Sequence, residues 1–406
     1  MRKINTRNFV RATRGTAREI NRRIILNLVR EHQPISRADL ARRMRIGRGM
    51  VTSLVAELLD DGSIYEGSTA EAPRGRKPMM LFVRTHDRLA IAVDVRFSRT
   101  YLMLSDFSGK PIALEEFETI PDPAALVAGL ARRIQKLLKG RDAKLKVNGI
   151  GLVVPGMVDA TSGRILNAPQ LGWRDVDVRD ALEKATGLSV HVENAPIACA
   201  LAQMWLGDGD TETPRDFVYL TVGDGVGTGI VVNGEVVRGH DNTAGEFGHV
   251  PLNPRGPECL CGARGCLEAY ASNLATLSRY LGHEFSPTET RRLLQESGLT
   301  ILDVIARAHA GEQRALDAID ETATRLGEGL AIVINTLNPS RIYVGGEITE
   351  LWDRVEPVMR HKIRERALTA KAAETPLVPE PASSYPRLRG ATAIVAAPVY
   401  AAPQVA

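Results

Sequence analysis

The sequence predicts a mixed α/β protein: a small helical head with a β-hairpin over residues 1–85, followed by a two-lobed α/β body. Three observations lead there. Charge is unevenly divided: residues 1–85 hold 18 Lys and Arg against 8 Asp and Glu, a surplus of +10, while residues 86–406 hold 34 against 40, a balance of −6. Apolar residues recur at helical spacing through the head and then form short runs alternating with helical stretches. A glycine- and proline-rich loop near residue 260 gathers one His and three Cys. With 44% hydrophobic and 25% charged residues the chain is an ordinary globular one, which excludes a disordered or fibrous protein. Its 406 residues allow two to four domains.

The first predicted helix covers residues 18–31, with Ile20, Ile24, Ile25, Leu28 and Val29 forming one apolar stripe. Gln33-Pro34-Ile35 ends it. Ser36 with Asp39 resembles a capping box that opens a short helix from Arg37 to Met44. Ile46-Gly47 turns the chain into a third helix with Val51, Leu54, Val55, Leu58 and Leu59 inward, closed by Asp60-Asp61-Gly62. Ile64-Tyr65 opens one strand and Met79 to Val83 forms another, joined by a loop that ends Pro73-Arg-Gly-Arg-Lys-Pro78. Three helices and a hairpin with a basic tip make a winged helix-turn-helix. In that module the third helix enters the major groove of double-stranded DNA, which puts Arg48, Gly49, Thr52 and Ser53 at base edges. Arg74 and Arg76 on the wing would reach phosphates or the minor groove. The +10 surplus supplies a salt-sensitive, sequence-independent affinity.

In the body, residues 90–95 and 101–106 read as paired strands, a helix follows near 124–139, and Val147 to Val154 forms a further strand ending at Pro155-Gly156. Val190 to Val192 leads to Glu193-Asn194 and a helix from about Pro196. Residues 217–222 and 229–232 form a hairpin around a glycine-rich turn, 315–337 a long helix, and 342–344 a strand closed by Gly345-Gly346. Such alternation builds α/β lobes with polar groups at strand ends. No stretch nears the ~20 apolar residues of a membrane span. Met1-Arg-Lys-Ile-Asn-Thr-Arg has no apolar run behind it, so no signal peptide is expected.

His249-x9-Cys259-x-Cys261-x4-Cys266 supplies one imidazole and three thiolates, a set suited to tetrahedral zinc with no position left for catalytic water. Two Cys one residue apart reach one ion only from an irregular loop, and Pro254, Gly256, Pro257, Gly262 and Gly265 provide it. The clustering fits a metal site in a reducing cytoplasm better than a disulfide framework. Cys199 lies in an apolar helical run and reads as core.

Gly245-Glu246-Phe-Gly-His249 and Cys259-Leu-Cys-Gly-Ala-Arg-Gly-Cys266-Leu-Glu268, with Asn167-Ala-Pro-Gln-Leu-Gly-Trp173 and Glu193-Asn194, resemble the ROK family, whose name joins repressors, open reading frames and sugar kinases. The likeness extends over nearly the whole chain, because many of the family's repressors carry a winged helix before a kinase-like body. It implies an actin-like, ribonuclease H-type fold and a final helix, near 389–401, that returns to the first lobe. The expected division is then 1–85 for the head, 86–195 with 380–406 for the first lobe, and 196–379 for the second. Family kinases hold their sugar with an Asn-Asp pair, two glutamates and the zinc-bound histidine, which carries over to Asn194, Glu246, His249 and Glu268. These groups suit a polyol, since carboxylates and an amide pair with neighbouring hydroxyls.

The departures from the kinase pattern are specific. Ala195 stands where the kinases place their general base, whose loss costs ~10²–10⁴ in rate. The first phosphate loop of the kinases reads Asp-x-Gly-Gly-Thr, and here Asp94-Val-Arg96-Phe97-Ser98 fills both glycine positions. Asp224 replaces a Thr in the second phosphate loop. The expectation is therefore a non-enzymatic regulator, a homodimer or tetramer that represses carbohydrate genes and senses a sugar or sugar derivative. Two alternatives stand beside it: a body that has lost the sugar and answers to a protein partner, and an active sugar kinase that binds DNA.

Overall fold

The computed structural model describes residues 13–69, 79–140, 145–206 and 214–401. Helices Arg14–His32, Arg37–Met44 and Arg48–Asp60 form the head with a three-stranded sheet of Ile35–Ser36, Met79–Val83 and Ile64–Thr69, in that order. The Ser36 hydroxyl accepts from the Asp39 amide at 3.2 Å and the Asp39 carboxylate accepts from the Ser36 amide at 3.3 Å, so the capping box is formed. Gln33 ties the first helix to the hairpin, its side-chain oxygen accepting from the Val83 amide at 2.8 Å.

The apolar stripe of the first helix is rotated from the one expected. Ile25, Leu26 and Val29 are buried, but Ile24 is 42% exposed. The physical reason is a second, polar contact face. Arg23, Asn27 and Arg30, spaced like one helical edge, meet the end of the C-terminal helix, Pro386–Tyr400: Arg23 donates to the carbonyls of Pro398 (3.0 Å) and Val399, and Asn27 to that of Tyr400 (2.8 Å). The head's core is continuous with body residues Ala90, Phe107, Val395, Ala396 and Tyr400.

The first lobe is a five-stranded sheet in the order Val190–Asn194, Lys146–Val154, Arg88–Val95, Arg99–Asp106, Pro111–Glu118. The first three are parallel and the remaining pairings antiparallel. The second lobe's sheet runs Glu235–Val236, Val226–Val232, Phe217–Val222, Arg341–Gly345, Leu377–Glu380. A small sheet of Met157–Val158, Ile165–Ala168 and Trp173–Val176 stands apart from both. These mixed sheets match the predicted α/β class. Helix Gln313–Leu337 is the long helix of the second lobe, burying Leu326, Leu330 and Ile334 in its core.

Two helices place the cleft relative to the head. Helix Ala195–Leu206 leaves the strand Val190–Asn194 and packs on both lobes: Pro196 lies against the second sheet at Gly229, where a side chain would collide with the Pro196 carbonyl. Its other side meets the C-terminal helix at Gly390, whose missing Cβ would lie 2.6 Å from the Ala198 backbone. The C-terminal helix in turn crosses the first sheet, and Thr392 shares a buried hydrogen bond with Ser105 at 2.7 Å. Among the described residues no helix is long and apolar enough to cross a membrane.

Candidate functional site

The loop after Val232 builds the metal-type cluster. A single 3₁₀ turn, Phe247–His249, presents His249, and bridges between Pro251 and Cys266 and between Glu258 and Arg264 hold the cysteine loop closed. The donor atoms of His249, Cys259, Cys261 and Cys266 all lie within 4.8 Å of one another. The His249 Nδ1–Cys259 Sγ separation is 3.7 Å and the Cys261–Cys266 Sγ separation 3.8 Å. A tetrahedron with Zn–S bonds of ~2.3 Å has edges of ~3.8 Å, so the donors are spaced to receive such an ion. Burial pushes the Cys259 thiol far up and that of Cys266 to about 11, so these thiols are poor anions unless a cation compensates.

The polyol-type residues face the same space. His249 directs Nδ1 to the cysteines and Nε2 toward Glu246, 3.8 Å away. Glu268, buried at the start of a short helix, accepts from the Val226 amide at 2.9 Å and from the Cys259 thiol at 3.6 Å. Burial raises the carboxyls of both Glu246 and Glu268. Asn194 caps helix Ala195–Leu206 through its side-chain oxygen, which accepts from the Ile197 amide at 3.0 Å. These residues line one cleft with Gln170, whose side chain and that of Glu268 both lie against Gly225. The cleft holds about 1160 Å³, its open mouth included, ample for a small molecule. Ala195, at the position where the kinases carry their base, is 6% exposed and presents only a methyl group.

At the other end of the cleft the structure shows a charge network that the sequence did not reveal. Asp94, fully buried, faces Arg96 Nε at 2.8 Å through one oxygen and Arg387 Nη2 at 2.8 Å through the other. Arg96 also lies 3.5 Å from Glu347 of the second lobe and 4.8 Å from the Tyr101 ring centroid. Burial opposes the charged guanidinium of Arg96, yet the facing Asp94 and Glu347 raise its pKa. Glu347 accepts from Asn273 at 3.0 Å. Phe97 supports Arg291, 4.2 Å from its ring centroid. Asp224 sits in the turn between strands Phe217–Val222 and Val226–Val232, its carboxyl raised by burial and by Glu347. Cys199 is fully buried against Phe217 and Tyr219.

In the head, Arg48, Gly49, Met50, Thr52 and Ser53 are all exposed along the third helix. The Thr52 hydroxyl donates to the Arg48 carbonyl at 2.9 Å. Ser53 is held by Arg18 of the first helix at 2.7 Å, and Arg18 also pairs with Glu57. Arg18 therefore adds a cation to this face that the helix pattern did not single out. Arg74 and Arg76 lie outside the described residues.

Comparison with known proteins completes the picture. The family model described as "ROK family" matches residues 90–397. The chain belongs to the ROK family. A xylose repressor from Caldicellulosiruptor bescii is 30% identical over 360 residues, covering 87% of this chain and 90% of its own. The DNA-binding transcriptional dual regulator NagC of Escherichia coli is 29% identical over 364 residues, covering 89% and 88%. Among solved structures, a ROK family transcriptional regulator, a homologue of the E. coli MLC protein, superposes with a TM-score of 0.77 at 28% identity over 95% of this chain and 97% of that one. A ROK family glucokinase from Streptomyces griseus, in complex with glucose and AMPPNP, has a TM-score of 0.66 at 27% identity over 75% of this chain and 98% of that one. The ROK kinase fold thus accounts for about three quarters of the chain, and the regulator for nearly all of it.

Proposed function

We propose that this ROK protein is a sugar-responsive transcriptional repressor. The observation that carries the reading is the physical continuity between head and cleft: the same two helices that begin at the cleft end against the DNA-binding head. Helix Ala195–Leu206 starts beside Asn194 and ends at Trp205 and Leu206, while Pro386–Tyr400 starts beside Arg387 and ends at Tyr400. At 12 and 15 residues they span about 18 and 22 Å. Arg389, near the start of Pro386–Tyr400, ties the two helices together by donating to the Leu206 carbonyl at 2.7 Å. A sugar held by Asn194, Glu246, His249 and Glu268 would change how the lobes meet around helix Ala195–Leu206, and the far ends would re-seat the head. Such coupling exists only if the sugar binds the two arrangements with different affinity.

The remaining assignments are part of the same reading. Zinc fits the His249, Cys259, Cys261 and Cys266 donors, where it would fix the loop and turn His249 Nε2 toward the sugar. Arg48, Gly49, Thr52 and Ser53 would read operator DNA, with Arg74 and Arg76 on its backbone, and a homodimer or tetramer would present paired heads to two half-sites. Thiolate ligation suits the reducing cytoplasm. The body is read as non-catalytic because Ala195 offers no base and Arg96 fills the phosphate end of the cleft.

The test is a salt-controlled titration onto duplex DNA selected by the full chain from a random library, with and without D-xylose, D-glucose and N-acetyl-D-glucosamine, alongside an ATP-turnover assay. A sugar-dependent shift without turnover supports the reading. Turnover would reinstate the kinase. DNA binding indifferent to every carbohydrate would favour a body that answers to a protein partner, an outcome the missing carboxylate at Ala195 makes worth measuring.

A further inference from the structure

Resting on the reading of the head as a DNA-binding module, we propose that Met50 sets part of its sequence specificity by apolar contact with the C5-methyl group of a thymine. Among the described residues Met50 is the exposed large apolar side chain of the third helix, Arg48–Asp60, at 49% exposure. The face that this helix turns outward is otherwise small: Gly49, Ser53 and Ala56 are exposed at helical spacing, opposite the buried Val51, Leu54 and Leu58. Nothing in the fold calls for the glycine. A Cβ at Gly49 would meet no atom within 4 Å, although alanine favours a helix more than glycine does. The missing side chain is accounted for by a close approach from outside the protein, and Met50 stands beside the gap.

The surroundings identify what approaches. Arg42, Arg43 and Arg45, on the second helix and its cap, are exposed where the chain leads into the third helix, and so is Arg48. Arg42 pairs with Asp39 of its own helix, while among the described residues no carboxylate meets Arg45 or Arg48. Cations so placed hold a phosphate backbone and seat the helix in its groove, but they carry no sequence information. Sequence must be read by the helix itself. Arg48 has the donors for a guanine edge. The polar residues beside it are partly engaged: the Thr52 hydroxyl donates to the Arg48 carbonyl at 2.9 Å, and Ser53 Oγ accepts from Arg18 at 2.7 Å. Met50 has no donor and only a weak sulfur acceptor, so the polar edges of the bases gain nothing from it. The thymine C5-methyl, the one methyl group that the four base pairs present in the major groove, is the feature that suits it. Its flexible thioether can follow that methyl without moving the helix. Tyr65, another exposed apolar side chain of the head, is by contrast already stacked on Phe82 at 5.3 Å.

The experiment uses duplex DNA selected by the full chain from a random library, with each thymine replaced in turn by deoxyuridine. That exchange removes a methyl group and leaves every base-pairing hydrogen bond in place. At one thymine position the replacement is expected to weaken binding ~4-fold, the worth of one buried methyl-sized group. Met50→Ala, at an exposed position, should melt with the parent chain yet bind the thymine and uracil duplexes equally well at that position. Met50→Leu, which keeps an apolar side chain, should keep most of the discrimination. A uracil penalty that survives undiminished in Met50→Ala would assign the methyl to another residue and overturn the inference. So would a selected duplex in which no thymine methyl matters. Both results leave the head a DNA reader, whereas a chain that selects no duplex from the library removes that reading and the inference with it.

Discussion

Arg30 donates to the carbonyl of Trp205 at 2.9 Å while its guanidinium lies 5.1 Å from the centroid of the same residue's ring. Tyr400 flanks it from the C-terminal helix, also at 5.1 Å, so one cation of the head is clamped between the ends of the two helices that run from the cleft. Burial lowers the Arg30 pKa, but the guanidinium stays charged at any working pH. Arg30→Ala is expected to cost ~1–2 kcal/mol of stability from the two ring contacts. Its more telling effect would be on coupling: the ratio of DNA affinities with and without sugar should fall toward one while sugar still binds. Arg30→Lys, which keeps charge but not planarity, should fall between. A ratio unchanged in Arg30→Ala would remove the clamp from the route.

Cys261→Ser should lose the bound metal and lower the melting temperature of the body. Cys261 is the exposed member of the cluster, so the substitution disturbs little packing and isolates the ligand effect. Metal content by mass spectrometry and a melting curve check it together. Unchanged values for both would dismiss the zinc assignment.

Asn194→Ala removes a helix cap and a cleft amide at once. Loss of the cap alone costs ~0.5–2 kcal/mol. Asn194→Asp keeps the cap but replaces the amide donor, so it should retain stability and still weaken sugar binding. Equal stability losses in the two variants would speak against the capping role.

The Asp224 carboxyl is raised by burial and by Glu347. A group whose folded pKa exceeds its unfolded one, about 3.8, favours the fold fully only below the unfolded value, and that contribution is lost as pH rises through the folded value. Asp224→Asn should therefore melt higher than the parent at pH 7.5, with the gap shrinking toward pH 4. A gap constant across that range would contradict the assignment.

Arg48→Ala should weaken binding to selected DNA by ~1–3 kcal/mol if its guanidinium reaches a base edge. An equal loss on random duplex would instead mark a phosphate contact.

Local features were the most legible in the sequence. Ser36 and Asp39 announced their capping box because the signal lies within four residues, and the His249–Cys266 spacing was readable because a loop must gather its own donors. The ROK motif placed Glu246 and Glu268 in one neighbourhood for the same reason. What escaped depended on contacts far apart in the chain. Arg387 meets Asp94 across nearly three hundred residues, and nothing near either residue marks the pair. The first helix misled in a different way: Arg23, Asn27 and Arg30 look like a solvated edge, yet they dock on backbone carbonyls and aromatic rings, which rotates Ile24 outward. Polar residues can form a contact face when the partner offers helix-end carbonyls.

The shared core also bears on how such regulators can be recombined. Val395, Ala396 and Tyr400 of the C-terminal helix complete the packing of Ile25, Leu26 and Val29 in the head, so segments from opposite ends of the chain share one core. A chimera joined at residue 85 would inherit one half of a mould without the other. Transplanting the head of this protein onto another ROK body therefore means carrying the last turns of its C-terminal helix, and Trp205, along with it.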